Sequence, residues 1–328
     1  MRRRSLLLAA PAGLLALAGC GDGSSDKAET GDSSPSAPAP KESAKTVDGP
    51  LPDVTSGAEF GEKPTVAKGP GKPSADLAVK TLVEGSGQRV AKGDVLQFDY
   101  LGQVWDTAKV FDNSYDRGVP LTMPIGVGQL IPGWDQALPG KRIGSRVELA
   151  IPPALGYGTQ GNPQAGIKGT DTLVFVVDLL GAFNGKSSAK GKAVPQDDKA
   201  LPKVGANTDG KAPSITVPKG AAPKELVAEY VLEGDGEAVK PTDKLLLQYK
   251  GVLWDGGKEF DSSYKTGELA QFPLQNLIKG WQQGLAGKKV GSRVMLVVPP
   301  DLGYGDKASG DIPANSTLVF SLDILARM

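Results

Sequence analysis

The sequence predicts an α+β protein in which a twisted antiparallel sheet wrapped on one short helix occurs twice, the copies joined by a flexible linker. Three observations carry that expectation: a residue series that occurs twice, period-two alternation in several segments of each copy, and one short helical pattern per copy. The series runs Tyr100-x-Gly102, Trp105-Asp106, Phe111-Asp112, Gly133-Trp134, Gly156-Tyr157-Gly158 and Thr172-Leu173-Val174-Phe175. It returns as Tyr249-x-Gly251, Trp254-Asp255, Phe260-Asp261, Gly280-Trp281, Gly303-Tyr304-Gly305 and Thr317-Leu318-Val319-Phe320. Pro64 to Gly118 lies over Pro213 to Gly267 without a gap, at an offset of 149, which two short deletions reduce to 147 at the second tryptophan and 145 at the last phenylalanine. A spacing kept over about 115 residues marks a duplicated globular domain, because it is far longer than a solenoid unit.

The strands follow from alternation. A first strand is expected near Leu77–Val83, ending in the turn Glu84-Gly85-x-Gly87. Leu96, Phe98 and Tyr100 alternate with Gln97 and Asp99, and the second copy repeats this at Leu245, Leu247 and Tyr249. Val147, Leu149 and Ile151 form the next strand, stopped by Pro152-Pro153. Leu173, Phe175, Val177 and Leu179 form the last, matched by Leu318, Phe320, Leu322 and Ile324. The helical pattern is Ile131 to Leu138, with Pro132 suited to a first turn and Gly140 to a stop. One short helix covers one face of such a sheet, so the other face is expected to be solvated.

Composition narrows the chemistry. The chain of 328 residues carries 37 basic and 37 acidic residues, and becomes mildly acidic once Arg2, Arg3 and Arg4 of the leader are set aside, which gives no footprint for nucleic acid. It contains no histidine, so a Ser–His–Asp triad, a Cys–His pair and a His-ligated metal site are excluded. Its single cysteine, Cys20, excludes an intrachain disulfide or a cysteine cluster, and no cofactor motif stands out.

The organisation along the chain is expected to be a signal peptide over 1–19, a disordered tether over 20–56, a first domain over 57–184, a linker over 185–204 and a second domain over 205–328. Residues 1–19 have a basic start and an apolar run too short to span a membrane. Leu17-Ala18-Gly19-Cys20 resembles the bacterial lipobox, in which the cysteine is lipidated and anchors the chain at the outer face of the membrane. An ordinary signal peptide with an incidental cysteine is the other reading. Arg3-Arg4 leaves both the general and the twin-arginine export routes open. The tether is Ser, Pro, Ala, Asp, Lys and Gly with scarcely an apolar residue.

The series Tyr-x-Gly, Phe-Asp-x-Ser, Ile-x-Gly-Trp, Leu-Gly-Tyr-Gly and Thr-Leu-Val-Phe, in that order in both copies, resembles the FKBP family of macrolide-binding peptidyl-prolyl isomerases. The resemblance implies proline-containing peptides or unfolded proteins as clients, macrolides as ligands, and rotation of an X–Pro amide without a nucleophile or base. It places Trp134 at a pocket floor with Tyr100, Phe111, Ile131, Tyr157 and Phe175 as walls. It gives Asp112 a hydrogen bond within the pocket and Arg117 as its partner; the Tyr157 hydroxyl and the Ile131 N–H would bind the peptide. In the second copy the set is Tyr249, Phe260, Asp261, Ile278, Trp281, Tyr304, Ile312 and Phe320.

The copies depart from the family pattern in different places. Thr266 stands where Arg117 stands, with Lys265 beside it as a candidate partner of Asp261. Leu121 occupies a position often held by phenylalanine, and the second copy offers Glu268 or Ala270 there. The loop 159–171 of the first copy is longer and lacks the Ile-Pro of the pocket lid, which the second keeps as Ile312-Pro313. Taken alone, the tryptophans fit core packing as well as a pocket, the hydroxyls of Tyr100 and Tyr249 could anchor to backbone, and Arg117 could be a solvated charge. Trp105 and Trp254 are assigned to hairpin packing. Three functions follow: a catalytic isomerase for exported proteins, a non-catalytic module that holds proline segments in one or both domains, or a surface lipoprotein that keeps only the fold.

Overall fold

The computed structural model describes residues 45–328, so the leader, Cys20 and most of the expected tether lie outside the described residues. The first copy comprises β1 (Thr46–Val47), β2 (Val54–Ser56), β3 (Thr65–Val66), β4 (Leu77–Val83), β5 (Val95–Val104), β6 (Val110–Asn113), β7 (Leu121–Pro124), α1 (Pro132–Ala137), β8 (Arg146–Ile151) and β9 (Leu173–Phe183). The second comprises β10 (Lys192–Ala193), β11 (Lys203–Val204), β12 (Ile215–Thr216), β13 (Val227–Glu233), β14 (Lys244–Leu253), β15 (Glu259–Ser262), α2 (Ser263–Thr266), β16 (Ala270–Pro273), α3 (Lys279–Leu285), β17 (Arg293–Val298) and β18 (Leu318–Arg327). Among the described residues no helix is long and apolar enough to cross a membrane.

Each copy forms one seven-stranded sheet and one two-stranded sheet, β2-β3 in the first and β11-β12 in the second. The order of the larger sheet is β1-β4-β8-β9-β5-β6 in the first and β10-β13-β17-β18-β14-β15 in the second, with β7 and β16 sharing the outer edge of β5 and β14. The central pairs β4–β8–β9–β5 are antiparallel, as the alternation requires. Residues Leu96, Phe98, Tyr100, Leu149, Phe175 and Val177 point to one face and meet Trp134 and Leu138 of the helix. Pro132 occupies the first helical turn behind Ile131, and Gly140 adopts a φ of 87° just past the end. Glycine is needed there because a side chain at that φ is strained.

The other face is not solvated, which overturns the sequence expectation. Ala78, Leu101, Ala150, Val174 and Val176 form a second apolar layer, and the segment from residue 45 to Gly71 is laid across it. The physical reason is visible in β9, whose run Leu-Val-Phe-Val-Val is apolar on both sides and therefore needs two covers. Trp105 is the keystone of this layer rather than a hairpin residue: it is fully buried, and its indole donates to the carbonyl of Gly71 at 3.0 Å. Gly69 lies so close that a Cβ there would come within 2.1 Å of the ring. Trp254 repeats the arrangement, donating to the carbonyl of Gly220 at 3.1 Å.

Two assigned boundaries shift accordingly. Residues 46–56, placed in the tether, form β1 against β4 and β2 against β3. Residues 185–204, placed in a linker, are tied to the second sheet: β10 pairs with β13, β11 with β12, and the Ala189 N–H donates to Asp323 at 2.9 Å. Both segments are poor in apolar residues, and backbone pairing holds them together with a few side chains, Val47, Leu51 and Val54 in the first and Leu201 and Val204 in the second.

A buried ion pair fixes each cover. Arg146 and Asp178 are fully buried and bonded in two places, Nε to Oδ1 at 2.7 Å and Nη2 to Oδ2 at 2.6 Å. The remaining guanidinium donors reach the carbonyls of Gly57 and Glu62 in the cover, while the Gly61 N–H and the Tyr115 hydroxyl donate back to Asp178. Arg293 and Asp323 do the same in the second copy, with the carbonyls of Gly205 and Asn207. Breaking such a pair leaves a buried charge, at about 3–5 kcal/mol. Arg146→Met is therefore expected to lower the stability of the first copy by about that amount in denaturant unfolding, and adding Asp178→Leu should restore part of the loss.

Glu148 lies under the same cover, 2% exposed, and its Oε1 has no hydrogen-bond partner among the described residues. Burial pushes its carboxyl up from the ordinary 4.5 to about 7; Lys80 opposes this and Asp53 adds to it. Between pH 4.5 and 7 the folded chain thus keeps a proton that the unfolded chain has released, so stability falls as pH rises through that window and is level above it. The matching position in the second copy is Met295, which has no such cost. Glu148→Gln should be more stable than the parent at pH 8, by about 3 kcal/mol, and equal to it below pH 4.5; parallel pH profiles for the two proteins would contradict this.

Candidate functional site

The repeated glycines set how closely the elements meet. A Cβ on Gly133 would come within 2.6 Å of Ile151, and one on Gly280 within 2.4 Å of Val298. The Gly-Trp pair therefore lets the helix lie directly on the sheet and carries the indole down with it. A Cβ on Gly102 would strike Phe175 and Phe111 at 2.6 and 2.7 Å, and Gly251 is crowded in the same way by Phe260 and Phe320. Each motif glycine clears a place where an aromatic ring must stand.

The rings assemble around Trp134, which is 4% exposed. Phe98, Tyr100 and Phe175 meet it with centroids at 5.0, 5.3 and 4.9 Å and planes at 83°, 74° and 76°. Phe111 stands edge-on to Phe175 at 5.6 Å. Edge-to-face geometry places the positive rim of one ring on the negative face of the next, each contact adding about 0.5–1.5 kcal/mol beyond burial. The indole N–H has no partner among the described residues.

Above this floor is a cavity of about 140 Å³, lined by Tyr100, Phe111, Asp112, Leu121, Leu130, Ile131, Trp134, Tyr157 and Phe175. Every first-copy residue expected at the pocket is among them except Arg117, which stands at the rim. Leu130 was not foreseen; it precedes the helix by two residues and carries no motif. Larger hollows lie around Gln97 and Val119 and around Gln88 and Phe183, but neither is built on a stacked aromatic floor.

The polar groups of the first pocket form one network. The Tyr100 hydroxyl donates to Asp112 Oδ2, Arg117 Nη1 donates to Asp112 Oδ1, and Arg117 Nη2 donates to the Tyr100 oxygen at 2.9 Å. Tyr100 thus anchors to a side chain rather than to backbone, and Arg117 is a bound partner rather than a solvated charge. Burial, reinforced by Asp112, pushes the Tyr100 hydroxyl up to about 12. Ile131 turns its carbonyl to the N–H of Trp134 at 3.0 Å, while its own N–H makes no hydrogen bond among the described residues. Tyr157 stands at the mouth, 39% exposed.

The second copy brings together Tyr249, Phe260, Trp281 and Phe320 with the same geometry, Tyr249 at 5.4 Å and Phe320 at 5.1 Å from Trp281. Ile278 precedes the helix as Ile131 does, and Tyr304 is 42% exposed at the mouth. Leu247 replaces Phe98, and Ala270, half-buried, stands where Leu121 does. Lys265 does not partner Asp261: it turns to Glu259 at 2.9 Å, because Glu259 occupies the neighbouring strand position where the first copy has Val110.

The lid comparison also changes. Ile312 is 6% exposed and packs into the core, and Ser309 bridges to it. Ile167, 3% exposed and bridged by Asn162, does the same in the first copy. Counting back five residues from Thr172-Leu173 and from Thr317-Leu318 finds both. The longer loop therefore keeps the isoleucine and differs in the next residue, Lys168 in place of Pro313.

The comparisons agree with this architecture. The chain is 43% identical over 119 residues to an FK506-binding protein of Streptomyces anulatus, covering 36% of this chain and 96% of that one. It is 48% identical over 100 residues to the FKBP-type peptidyl-prolyl cis-trans isomerase FkpA of Escherichia coli K12, covering 30% of this chain and 37% of that one. Across both copies it is 31% identical over 236 residues to peptidyl-prolyl cis-trans isomerase FKBP9 of Mus musculus, covering 71% of this chain and 34% of that one. The sequence model described as FKBP-type peptidyl-prolyl cis-trans isomerase matches residues 86–180 and again 235–325, more than half of the chain. The chain therefore belongs to the FKBP-type peptidyl-prolyl cis-trans isomerases and carries the family's domain twice.

Proposed function

We propose that each pocket seats the proline of an X–Pro segment on its indole and lowers the barrier to rotation by excluding water from the amide. A planar amide is held by resonance, with a barrier of about 18–20 kcal/mol. The twisted transition state has lost that resonance and much of the amide dipole. A dry aromatic cavity disfavours the polar ground state relative to it, and only such differential stabilisation raises the rate. Each ~1.4 kcal/mol gives about tenfold. The observation that carries this reading is the cavity of the first copy: Trp134 packed edge to face with Phe98, Tyr100 and Phe175 beneath largely apolar walls, with Asp112 and Tyr157 in its lining. On this reading the Tyr157 hydroxyl and the Ile131 N–H, which makes no hydrogen bond among the described residues, hold carbonyls of a bound peptide, and macrolides compete for the same space.

The clients we propose are proteins exported across the membrane, with the chain anchored at the outer face through lipid on Cys20. The support is the segment Leu17-Ala18-Gly19-Cys20 following a basic, apolar leader. More than one acyl chain would make the attachment stable. Replacing Cys20→Ser should move the chain from the membrane fraction to the soluble one; retention in the membrane would count against lipidation.

A proline isomerisation assay on the full chain tests the mechanism. Acceleration is expected, and Tyr157→Ala together with Tyr304→Ala should lower it about tenfold or more, the scale of one lost hydrogen bond in each pocket. A folded chain that binds proline peptides without accelerating them would favour the holding module instead.

A further inference from the structure

The two sites share a tryptophan that meets a tyrosine and a phenylalanine edge-on, and they differ in charge at the mouth. In the first, the Asp112 carboxylate is neutralised by Arg117, which also donates to Tyr100 at 2.9 Å. In the second, Asp261 accepts from the Tyr249 hydroxyl at 2.6 Å and from the Ser262 N–H at 2.8 Å, both neutral donors. Thr266, at the place of Arg117, turns its hydroxyl to the carbonyl of Ser263 at 3.0 Å. The nearby lysines are committed elsewhere: Lys265 and Lys250 both contact Glu259, at 2.9 and 3.3 Å. Among the described residues no lysine or arginine comes within ion-pair distance of Asp261.

We propose that the second pocket selects X–Pro segments carrying a lysine or arginine beside the proline, with Asp261 as the specificity-determining carboxylate, while the first pocket is indifferent to that charge. The inference rests on the reading that both pockets seat proline segments. Asp261 is tied to Tyr249, whose ring meets the Trp281 floor edge-on at 5.4 Å, so a residue next to a proline on that floor lies within reach of the carboxylate. The charge acts across the mouth: the Tyr304 hydroxyl is pushed up, first by burial and then by Asp261. In the first pocket Arg117 already neutralises Asp112, so a charge beside the proline meets a pair with no net charge.

The test uses the full chain and three peptides that differ only in the residue before proline, lysine, leucine or glutamate. At low salt the parent should turn over the lysine peptide about two- to fivefold better than the glutamate peptide, the range of one half-exposed ion pair. The ratio should shrink as salt screens the charge. Thr266→Arg, a surface change outside the pocket lining, should bring the ratio to one and leave the leucine peptide unchanged. Arg117→Thr should raise the ratio by giving the first pocket the same open carboxylate. Equal rates for the lysine and glutamate peptides in the parent, or a preference that survives Thr266→Arg, would overturn the proposal. If no peptide is accelerated, the catalytic reading fails on its own. The ratio of dissociation constants from tryptophan fluorescence then decides: a lysine preference removed by Thr266→Arg supports the selectivity, and a ratio of one overturns it.

Discussion

The seat of one indole on one sheet governs the rest of the molecule. Trp134 serves as a pocket floor only if its helix lies close enough to the sheet to bury one side of the ring and leave the other open. Gly133 sets that distance, because any Cβ there would push the helix off Ile151. Gly102 sets the complementary one by making room for Phe111 and Phe175, which hold the ring from the side. Gly280 and Gly251 meet the same demands in the second copy. On the mechanism proposed above, a rigid floor matters because differential binding of a twisted amide requires walls that do not relax around the planar one.

A helix pressed onto one face of a sheet does nothing for the other. The strands through Ala78, Ala150 and Val174 are apolar on that side too, and the chain before each copy supplies the cover. That cover carries few large apolar residues of its own. It is held instead by Trp105 or Trp254 and by a guanidinium–carboxylate pair whose spare donors bind the cover's carbonyls. The arrangement couples the cover to β8 and β9, two strands that also support the pocket, so the outer layer and the floor share a frame.

The sequence displayed the inner layer plainly and the outer layer poorly. Alternation at Leu96, Phe98 and Tyr100 located a strand and its buried face, and the doubled aromatic series located the pocket. The cover was hidden because its strands are two or three residues long, too short to show a side-chain periodicity, and each sends in a single valine. The apolar run Leu173 to Val177 did hold a signal, since a strand apolar on both sides demands two covers. Glu148 was equally silent: its meaning lies in what covers it. The pairing of Lys265 was misjudged because proximity in sequence says nothing about the competing carboxylate of Glu259 on the neighbouring strand.

Duplication explains why the differences between the pockets are informative. Two copies that began alike keep their floors, glycines and ion pairs, so the scaffold demands these. Differences at the mouth are Arg117 against Thr266, Leu121 against Ala270 and Lys168 against Pro313, while Phe98 against Leu247 and Glu148 against Met295 lie in the interior. A change at the mouth leaves the packing of the core untouched and alters only what a bound segment meets beside its proline. Where the first copy has Arg117 the second has Thr266, and Glu259 draws both nearby lysines away from Asp261. On the proposal made above, a carboxylate left without a cation at the lip of an apolar pocket changes which proline segments enter, without changing how their amides turn.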